Sequence, residues 1–277
     1  MKIKGSVYVV LAALLWSVGG LLTKSIPWSG FSTGAVRGMI AFVLTVIFCR
    51  RLPKRPTKLI LMAAFCHFAQ GFLIVAAQKY TTAANATVLQ YTSSIYIIVF
   101  TALSLRKLPP RLDIVTCVIM LGGIALAFVG SIQMGGTLGN ILALGSGLFY
   151  AAVFFLNRKE GADAVESVIL GSLISFALLP LVLTDSAVLA STPTDLIYVF
   201  LNGLCATLAW LCFAKGIRTT PALQANFIAM LEPVMAPVWT FLLLSETPTV
   251  WSLIGCIIVI VTLLIYNTKK AKSEQTT

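Results

Sequence analysis

Long apolar segments run through almost the whole chain, and only short connections separate them. Ten segments are long enough to cross a bilayer, which takes roughly 20 residues per helix. In lipid, every backbone amide and carbonyl must find its hydrogen-bond partner within the protein, and a helix meets that need locally. We therefore expect an all-α membrane protein with ten transmembrane helices, at 5–26, 32–49, 59–78, 83–104, 112–131, 138–157, 166–184, 196–215, 220–244 and 250–268.

The composition excludes a soluble globular domain. Hydrophobic residues make up 58% of the 277 residues, charged residues make up 10%, and the mean hydropathy is +0.97. A soluble domain carries about 25% charged residues, so this chain cannot cover a water-facing surface. The first apolar segment lacks a small-residue cleavage site, and we expect it to be a retained span and not a signal peptide.

The net charge of +11 reflects topology. If the N-terminus is cytoplasmic, all basic residues except Lys24, Arg37 and Lys79 fall at the cytoplasmic ends of the spans. This distribution obeys the positive-inside rule. It predicts a multi-pass protein of the cytoplasmic (inner or plasma) membrane with both termini in the cytoplasm. A nucleic-acid partner is not expected.

The chain repeats itself at an offset of 138 to 139 residues. The sequence TTAA at 81–84 returns as TTPA at 219–222, and Cys117 returns as Cys256. Two homologous halves follow, at 1–134 and 135–277. Five spans in each half is an odd number, so the second half enters the membrane from the opposite side. Inverted repeats of this kind place substrate near the bilayer midplane.

Five short motifs follow one another along the chain: LLWS at 14–17, RG at 37–38, YTTAA at 80–84, LEPV at 231–234 and LSETP at 244–248. In order and spacing they resemble the EamA-type members of the drug/metabolite transporter superfamily, over essentially the whole chain. The resemblance implies transport of small organic solutes or metabolites. The two halves differ at two informative places, because Ser94 and Lys107 of the first correspond to Glu232 and Glu246 of the second.

Glu232 is the acidic residue predicted deepest in the membrane, about 12 residues from either end of the ninth span and hence roughly 18 Å deep. A carboxylate at that depth costs about 2.5–3.5 kcal/mol. Pro233 and Pro237 each remove a backbone donor and free a carbonyl. Two interpretations stay open. Glu232 senses substrate charge or carries a coupled proton, or it is a protonated side chain bonded to freed carbonyls that holds a kink.

Arg37 is the second charge inside a predicted span, about five residues from the outer end of span 2. It is interpreted either as a docking point for a substrate carboxylate or phosphate, or as a side chain that reaches the outer headgroups. Helix rise puts it roughly 10 Å above Glu232, so capture of one small solute by both residues is expected to be strained.

Polar stripes and deep aromatic residues complete the candidate site. Inside a bilayer such stripes face either a cavity or an interhelical hydrogen bond, and both remain open for each residue. Deep aromatic rings suit cation–π contact or plain core packing. His67 is either a hydrogen-bonded core histidine or a proton relay. The predicted substrate-binding residues are Trp16, Arg37, Gln70, Gln90, Tyr91, Ser94, Tyr150, Trp210 and Asn226, and the predicted coupling residues are Glu232 and His67.

Three classes of function compete. A channel would show rings of charge or a carbonyl filter, and a membrane enzyme would show a catalytic motif; the sequence has neither. No cofactor, metal or phosphate loop is expected. We expect a secondary transporter for an amino acid or related metabolite, working by alternating access around a cavity lined by spans 1, 3, 4, 6, 8 and 9, with protons among the expected coupling partners. An efflux antiporter for cationic amines or drugs is the alternative, and both a monomer and a homodimer remain open.

Overall fold

The computed structural model of the protein describes residues 5–129, 136–244 and 249–275, and every regular element in these ranges is helical. Glu246, the counterpart of Lys107 in the second half, lies outside these ranges. A 3-10 turn at Ser175–Leu178 links α8 to α9. The helices are α1 (Gly5–Ser25), α2 (Gly30–Cys49), α3 (Lys58–Tyr80), α4 (Ala83–Gln90), α5 (Ser93–Leu105), α6 (Arg111–Ala127), α7 (Thr137–Leu156), α8 (Ala164–Ile174), α9 (Leu179–Leu183), α10 (Ser186–Leu189), α11 (Pro193–Gly216), α12 (Ala222–Ala229), α13 (Leu231–Leu244) and α14 (Val250–Gln275).

Eight helical stretches in the described ranges are long and apolar enough to cross a membrane. They are Gly5–Ser25, Gly30–Cys49, Lys58–Tyr80, Ala83–Leu105, Thr137–Leu156, Ala164–Leu183, Pro193–Gly216 and Val250–Lys270. The other two predicted spans are also helical. One is α6, whose 17 residues rise about 26 Å, slightly less than the hydrocarbon thickness. The other is divided into α12 and α13. The multi-pass all-α architecture is confirmed, and the count of ten spans stays a prediction.

The distribution of side chains is that of a protein surrounded by lipid. Large apolar side chains face outward, including Val118 and Leu264, which are 65% and 60% exposed. Polar side chains such as Asn202 and Asn226 are instead fully buried. A soluble monomer rarely shows such extensive apolar surface. The polar groups that carry chemistry therefore lie in the interior of the bundle.

Two predicted spans are broken at matching places in the repeat. The first break lies at Tyr91 and Thr92, between α4 and α5, and the second at Met230, between α12 and α13. The Thr92 hydroxyl donates to the Leu89 carbonyl at 2.6 Å, a local bond that competes with helix continuation. At the second break, Pro233 has no amide to donate to the residue four positions before it. Each break therefore interrupts the regular helix within a predicted span.

The most extensively packed helix pairs join residues before 130 to residues after 136. Helix α1 packs on α11, α3 on α7 and α8, and α6 on α14. The last pair meets at glycine, because a Cβ atom at Gly255 would overlap the backbone of Gly123 and Ala127. Small residues permit this close approach of transmembrane helices. The two halves of the chain are therefore interleaved and form one bundle.

An ionic cluster, defined here as Arg51, Asp163 and Glu166, ties the connection after α2 to the start of α8. One Arg51 nitrogen donates to Asp163 at 2.6 Å and lies 2.9 Å from Glu166, the second contact being an ion pair without hydrogen-bond geometry. The Lys54 amide donates to the other Glu166 oxygen at 2.7 Å. Asp163 also caps α8, accepting the amides of residues 165 and 166. Sequence reasoning did not find this link between the halves.

Candidate functional site

The Tyr91 side chain connects the two broken spans. Its hydroxyl lies 2.7 Å from the Ala229 carbonyl oxygen and 2.8 Å from Glu232 Oε2. In a regular helix the amide of residue 233 would donate to the Ala229 carbonyl, but Pro233 has no amide hydrogen. The Tyr91 hydroxyl takes the place of that missing donor. Glu232 stands in the first turn of α13, where the positive end of a helix dipole favours a negative charge. The sequence predicted this acid in mid-span; the structure puts it at a helix start.

Asn226 joins the same two breaks on their buried side. Its Nδ2 donates to Ser93 Oγ at 3.0 Å, and its Oδ1 accepts from Ser94 Oγ at 2.6 Å. All three side chains are fully buried. Ser94 and Asn226 were predicted to bind substrate, but they do not line the cavity described next. Their polar groups hold α12 against α5.

The central cavity lies between the two halves, next to Glu232. The empty space there, together with the open region at its mouth, is about 410 Å³. Polar side chains from five helices and aromatic rings from three share its wall. The lining residues are Trp16, Gly19, Gly20, Thr23, Arg37, Gln70, Ile74, Gln78, Gln90, Tyr150, Trp210 and Glu232. A concave site with few polar groups and aromatic walls is typical of a small-molecule site.

An aromatic cluster borders the central cavity. Trp16 packs edge-on against Trp210 at 4.9 Å and against Tyr150 at 5.9 Å between ring centroids. Phe154 and Phe213 continue the cluster at 4.8 Å from each other. The α7 and α11 members of the cluster lie toward the C-terminal ends of their helices. The cavity is also bordered by Thr23 and Gln78, near the C-terminal ends of α1 and α3.

Arg37 and Glu232 both line the central cavity, although helix rise alone separated them by about 10 Å. No ion pair joins them in the described part of the chain. Gln70 adds an amide oxygen that is buried and has no partner among the described residues. The cavity therefore presents a cation (Arg37), an acid (Glu232) and a free acceptor (Gln70), and these three groups do not pair with one another.

His67 does not line the central cavity. It borders a second space, the side cavity, which has about 390 Å³ of empty volume including its opening and lies between α2, α3, α8 and α11. The His67 ring packs edge-on against Trp210 at 4.5 Å, and its Nε2 lies 3.5 Å from Ser172 Oγ. Arg37 and Trp210 line both spaces. The two cavities are thus neighbours that share a wall.

The structure brings together seven of the predicted site residues. They are Trp16, Arg37, Gln70, Gln90, Tyr150, Trp210 and Glu232. Tyr91 stands directly behind Glu232, whereas Ser94, Asn226 and His67 lie outside the central cavity. Helix α2, absent from the predicted lining spans, contributes Arg37.

Sequence reasoning did not place Thr23 and Gln78 among the site residues. Gln78 falls on the same α3 stripe as Gln70 and Ile74, so its spacing was a usable signal. Thr23 gave no such signal, because it accepts a hydrogen bond from Asn202 at 2.9 Å, a contact between helices distant in sequence.

Comparison with known sequences gives one consistent answer. The sequence profile of the "EamA-like transporter family" matches residues 3–129 and again residues 137–268. An "Uncharacterized transporter" of Archaeoglobus fulgidus is 27% identical over 266 residues, covering 94% of this chain and 95% of that protein. The "Uncharacterized transporter YwfM" of Bacillus subtilis is 26% identical over 289 residues, covering 98% and 97%.

A solved structure has the same fold. It superposes with a TM-score of 0.78 at 15% sequence identity, covering 95% of this chain and 96% of the other, and is described only as "Crystal structure of protein". At this identity the likeness concerns the fold alone.

Proposed function

Because the chain belongs to the EamA-like transporter family, it is a membrane transporter and not an enzyme, and we propose that it carries a small zwitterionic solute, an amino acid or a related metabolite, by proton-coupled alternating access. One observation carries the proposal. Arg37, a cation, and Glu232, an acid that becomes an anion when it releases its proton, line one aromatic-walled cavity without pairing with each other. When Glu232 is ionised, the two groups suit a ligand that bears both charges.

The ligand would use the cavity as follows. Its carboxylate binds the Arg37 guanidinium, which can present two parallel donors. Its ammonium group binds Glu232 and the faces of the neighbouring rings, Trp16 and Tyr150, through cation–π attraction. The free amide oxygen of Gln70 accepts a further hydrogen bond from the ammonium group. Each of these protein groups lines the central cavity.

Hydrogen-bond accounting supports a proton on Glu232. The Tyr91 hydroxyl has one proton, yet it lies within 2.8 Å of two acceptors, the Ala229 carbonyl and the Glu232 carboxyl. Both short contacts are satisfied when Tyr91 donates to the carbonyl and a protonated Glu232 donates to Tyr91. Loss of that proton would free the carboxylate for a ligand cation, which couples proton release to binding.

Inverted halves supply the alternating movement. Support comes from the family profile, which matches twice, and from helix breaks at corresponding places, after Gln90 and after Ala229. Ten spans in two five-span halves would then place α1, α3, α7 and α11 around the cavity. We propose that the aromatic cluster at Phe154 and Phe213 forms the closed cytoplasmic side, with both termini in the cytoplasm, and that rocking of the halves opens it.

The test of coupling is Glu232→Gln, measured as uptake or counterflow in proteoliposomes with an imposed pH gradient. A thermal-shift screen of amino acids, amines and other metabolites first supplies a transported compound. The amide cannot exchange a proton, so pH-driven transport should be abolished. The matched control is Glu160→Gln, at an exposed acid, which should transport normally. Unchanged rate and pH dependence in Glu232→Gln would refute the coupling role.

The test of ligand charge is Arg37→Ala. A charge-assisted hydrogen bond is worth about 1.5–3 kcal/mol, so affinity for a zwitterion should fall roughly tenfold to a hundredfold. Equal affinity would reduce Arg37 to a membrane anchor.

The aromatic walls beside Glu232 favour a second candidate, efflux of cationic amines, for which Arg37 is not needed. Binding of amines that lack a carboxylate, undiminished in Arg37→Ala, would support that candidate over the first.

A further inference from the structure

The side cavity has features that the proposed transport cycle does not use. It shares Arg37 and Trp210 with the central cavity, so a ligand held by Arg37 lies at the wall between the two spaces. The side cavity lining is mostly apolar and includes Phe68 and Phe72, whose rings stack at 5.5 Å between centroids. A wall of stacked aromatic rings offers a large apolar contact area to a hydrocarbon group.

Glycines on three helices create the space. Gly34 and Gly38 of α2, Gly71 of α3 and Gly171 of α8 line the side cavity. Added Cβ atoms at Gly38 and Gly171 would overlap Ser175 and the Ala64 carbonyl, so these two allow close helix approach. Gly71 is different, because a Cβ atom there would meet nothing within 4 Å. The lack of a side chain at Gly71 therefore leaves room in the side cavity.

We infer that the side cavity is the subsite for the apolar side chain of the solute, and that Gly71 sets how long that side chain can be. The inference rests on the proposed zwitterion site. An α-amino acid has three polar or bulky substituents on its α-carbon. With the carboxylate on Arg37 and the ammonium group toward Glu232, the third substituent, the side chain, points past Arg37 into the side cavity. There, Trp210, Phe68 and Phe72 offer apolar surface.

The experiment measures the affinities of a straight-chain series, namely glycine, alanine, 2-aminobutyrate, norvaline and norleucine, for the purified full-length protein. Each buried methylene should raise affinity about fourfold until the side cavity is full. In Gly71→Leu the glycine affinity should stay within twofold of wild type, while norvaline loses at least tenfold. In Gly71→Ala the gain in affinity with side-chain length should end about one methylene earlier than in wild type. This variant replaces Gly71→Leu in the test if the leucine variant does not fold.

Two further variants separate a subsite effect from general damage. Gly122→Leu lies on the outward face of α6, where an added Cβ also meets nothing, and should leave the whole series unchanged. Gly20→Leu fills the central cavity instead, again without contact at Cβ, and should weaken all members alike, glycine included. Monodisperse elution in size-exclusion chromatography shows which variants are folded.

The outcomes distinguish the inference from the proposal beneath it. A wild-type protein that binds the entire series with equal affinity overturns the subsite alone, as does a folded Gly71→Leu that keeps the wild-type series or weakens glycine as much as norvaline. A wild-type protein that binds no member overturns the zwitterion site and the subsite with it. A length dependence that Gly71→Leu cuts short, with Gly122→Leu unchanged, establishes the subsite.

Discussion

Removal of Arg51 tests whether the ionic cluster holds the two halves together. Arg51→Ala deletes the only cation within ion-pair distance of Asp163 and Glu166 among the described residues. The two acids differ in exposure: the Asp163 side chain is 26% exposed and the Glu166 side chain 1%. The loss of the cation therefore affects a partly hydrated carboxylate and a buried one.

The expected cost follows from those exposures. A solvent-exposed pair contributes about 0–1 kcal/mol, which applies to Arg51 and Asp163. A fully buried carboxylate left without its partner costs about 3–5 kcal/mol. Glu166 keeps the hydrogen bond from the Lys54 amide, so we expect the lower part of that range or less. Arg51→Ala should lower the free energy of unfolding by about 2–3 kcal/mol.

The effect should depend on pH in a defined direction. Partial burial of Asp163 opposes ionisation, but the hydrogen bonds from Arg51 and from backbone amides outweigh it, so its pKa lies below the ordinary value of 3.8. A carboxylate whose pKa is lower in the folded state contributes stability that is complete above its unfolded pKa and is lost as pH falls through the folded pKa. In a Glu166→Gln background, where Asp163 is the remaining acid of the ionic cluster, the cost of Arg51→Ala should be constant from about pH 8 to 5 and shrink below about pH 4.

The assay is denaturant titration in detergent micelles, followed by tryptophan fluorescence. Arg55→Ala, at an exposed arginine of the same connection, is the control and should change stability by less than about 0.5 kcal/mol. Arg51→Ala combined with Glu166→Gln removes the unpaired buried charge and should recover at least half of the loss. A cost below about 0.5 kcal/mol for Arg51→Ala, or no recovery in the double variant, would refute the reasoning.

Two further predictions concern contacts between the halves. Gly255→Ala should destabilise the protein by about 1–3 kcal/mol, since its Cβ overlaps the α6 backbone, while Gly122→Ala on the outward face of α6 should be neutral in the same titration. Asn226→Ala should cost about 1–3 kcal/mol because it leaves buried Ser93 and Ser94 without their partner; a stability equal to wild type would show that these hydroxyls find other acceptors.

Several site residues were predictable because the bilayer makes polar groups conspicuous. Glu232 and Arg37 stand out as charges within apolar segments, and Trp16, Tyr150 and Trp210 as aromatic residues too deep for the interface. Their spacing along the chain could not show that Arg37 and Glu232 share a cavity. Helix rise measures depth along one axis, whereas the break at Met230 and the packing of α2 determine where the side chains meet.

The sequence by itself determined the class of fold, the family and the list of polar residues that must be buried. Long apolar runs in lipid have to be helical, since only a helix satisfies its own backbone. The tertiary structure decided whether each buried polar residue lines the cavity or contacts a neighbouring helix. Gln90 lines the cavity, and Ser94, about one turn later, does not. In water an apolar stripe marks the inner face of a helix; in lipid both faces are apolar, so only packing distinguishes a ligand site from a helix contact.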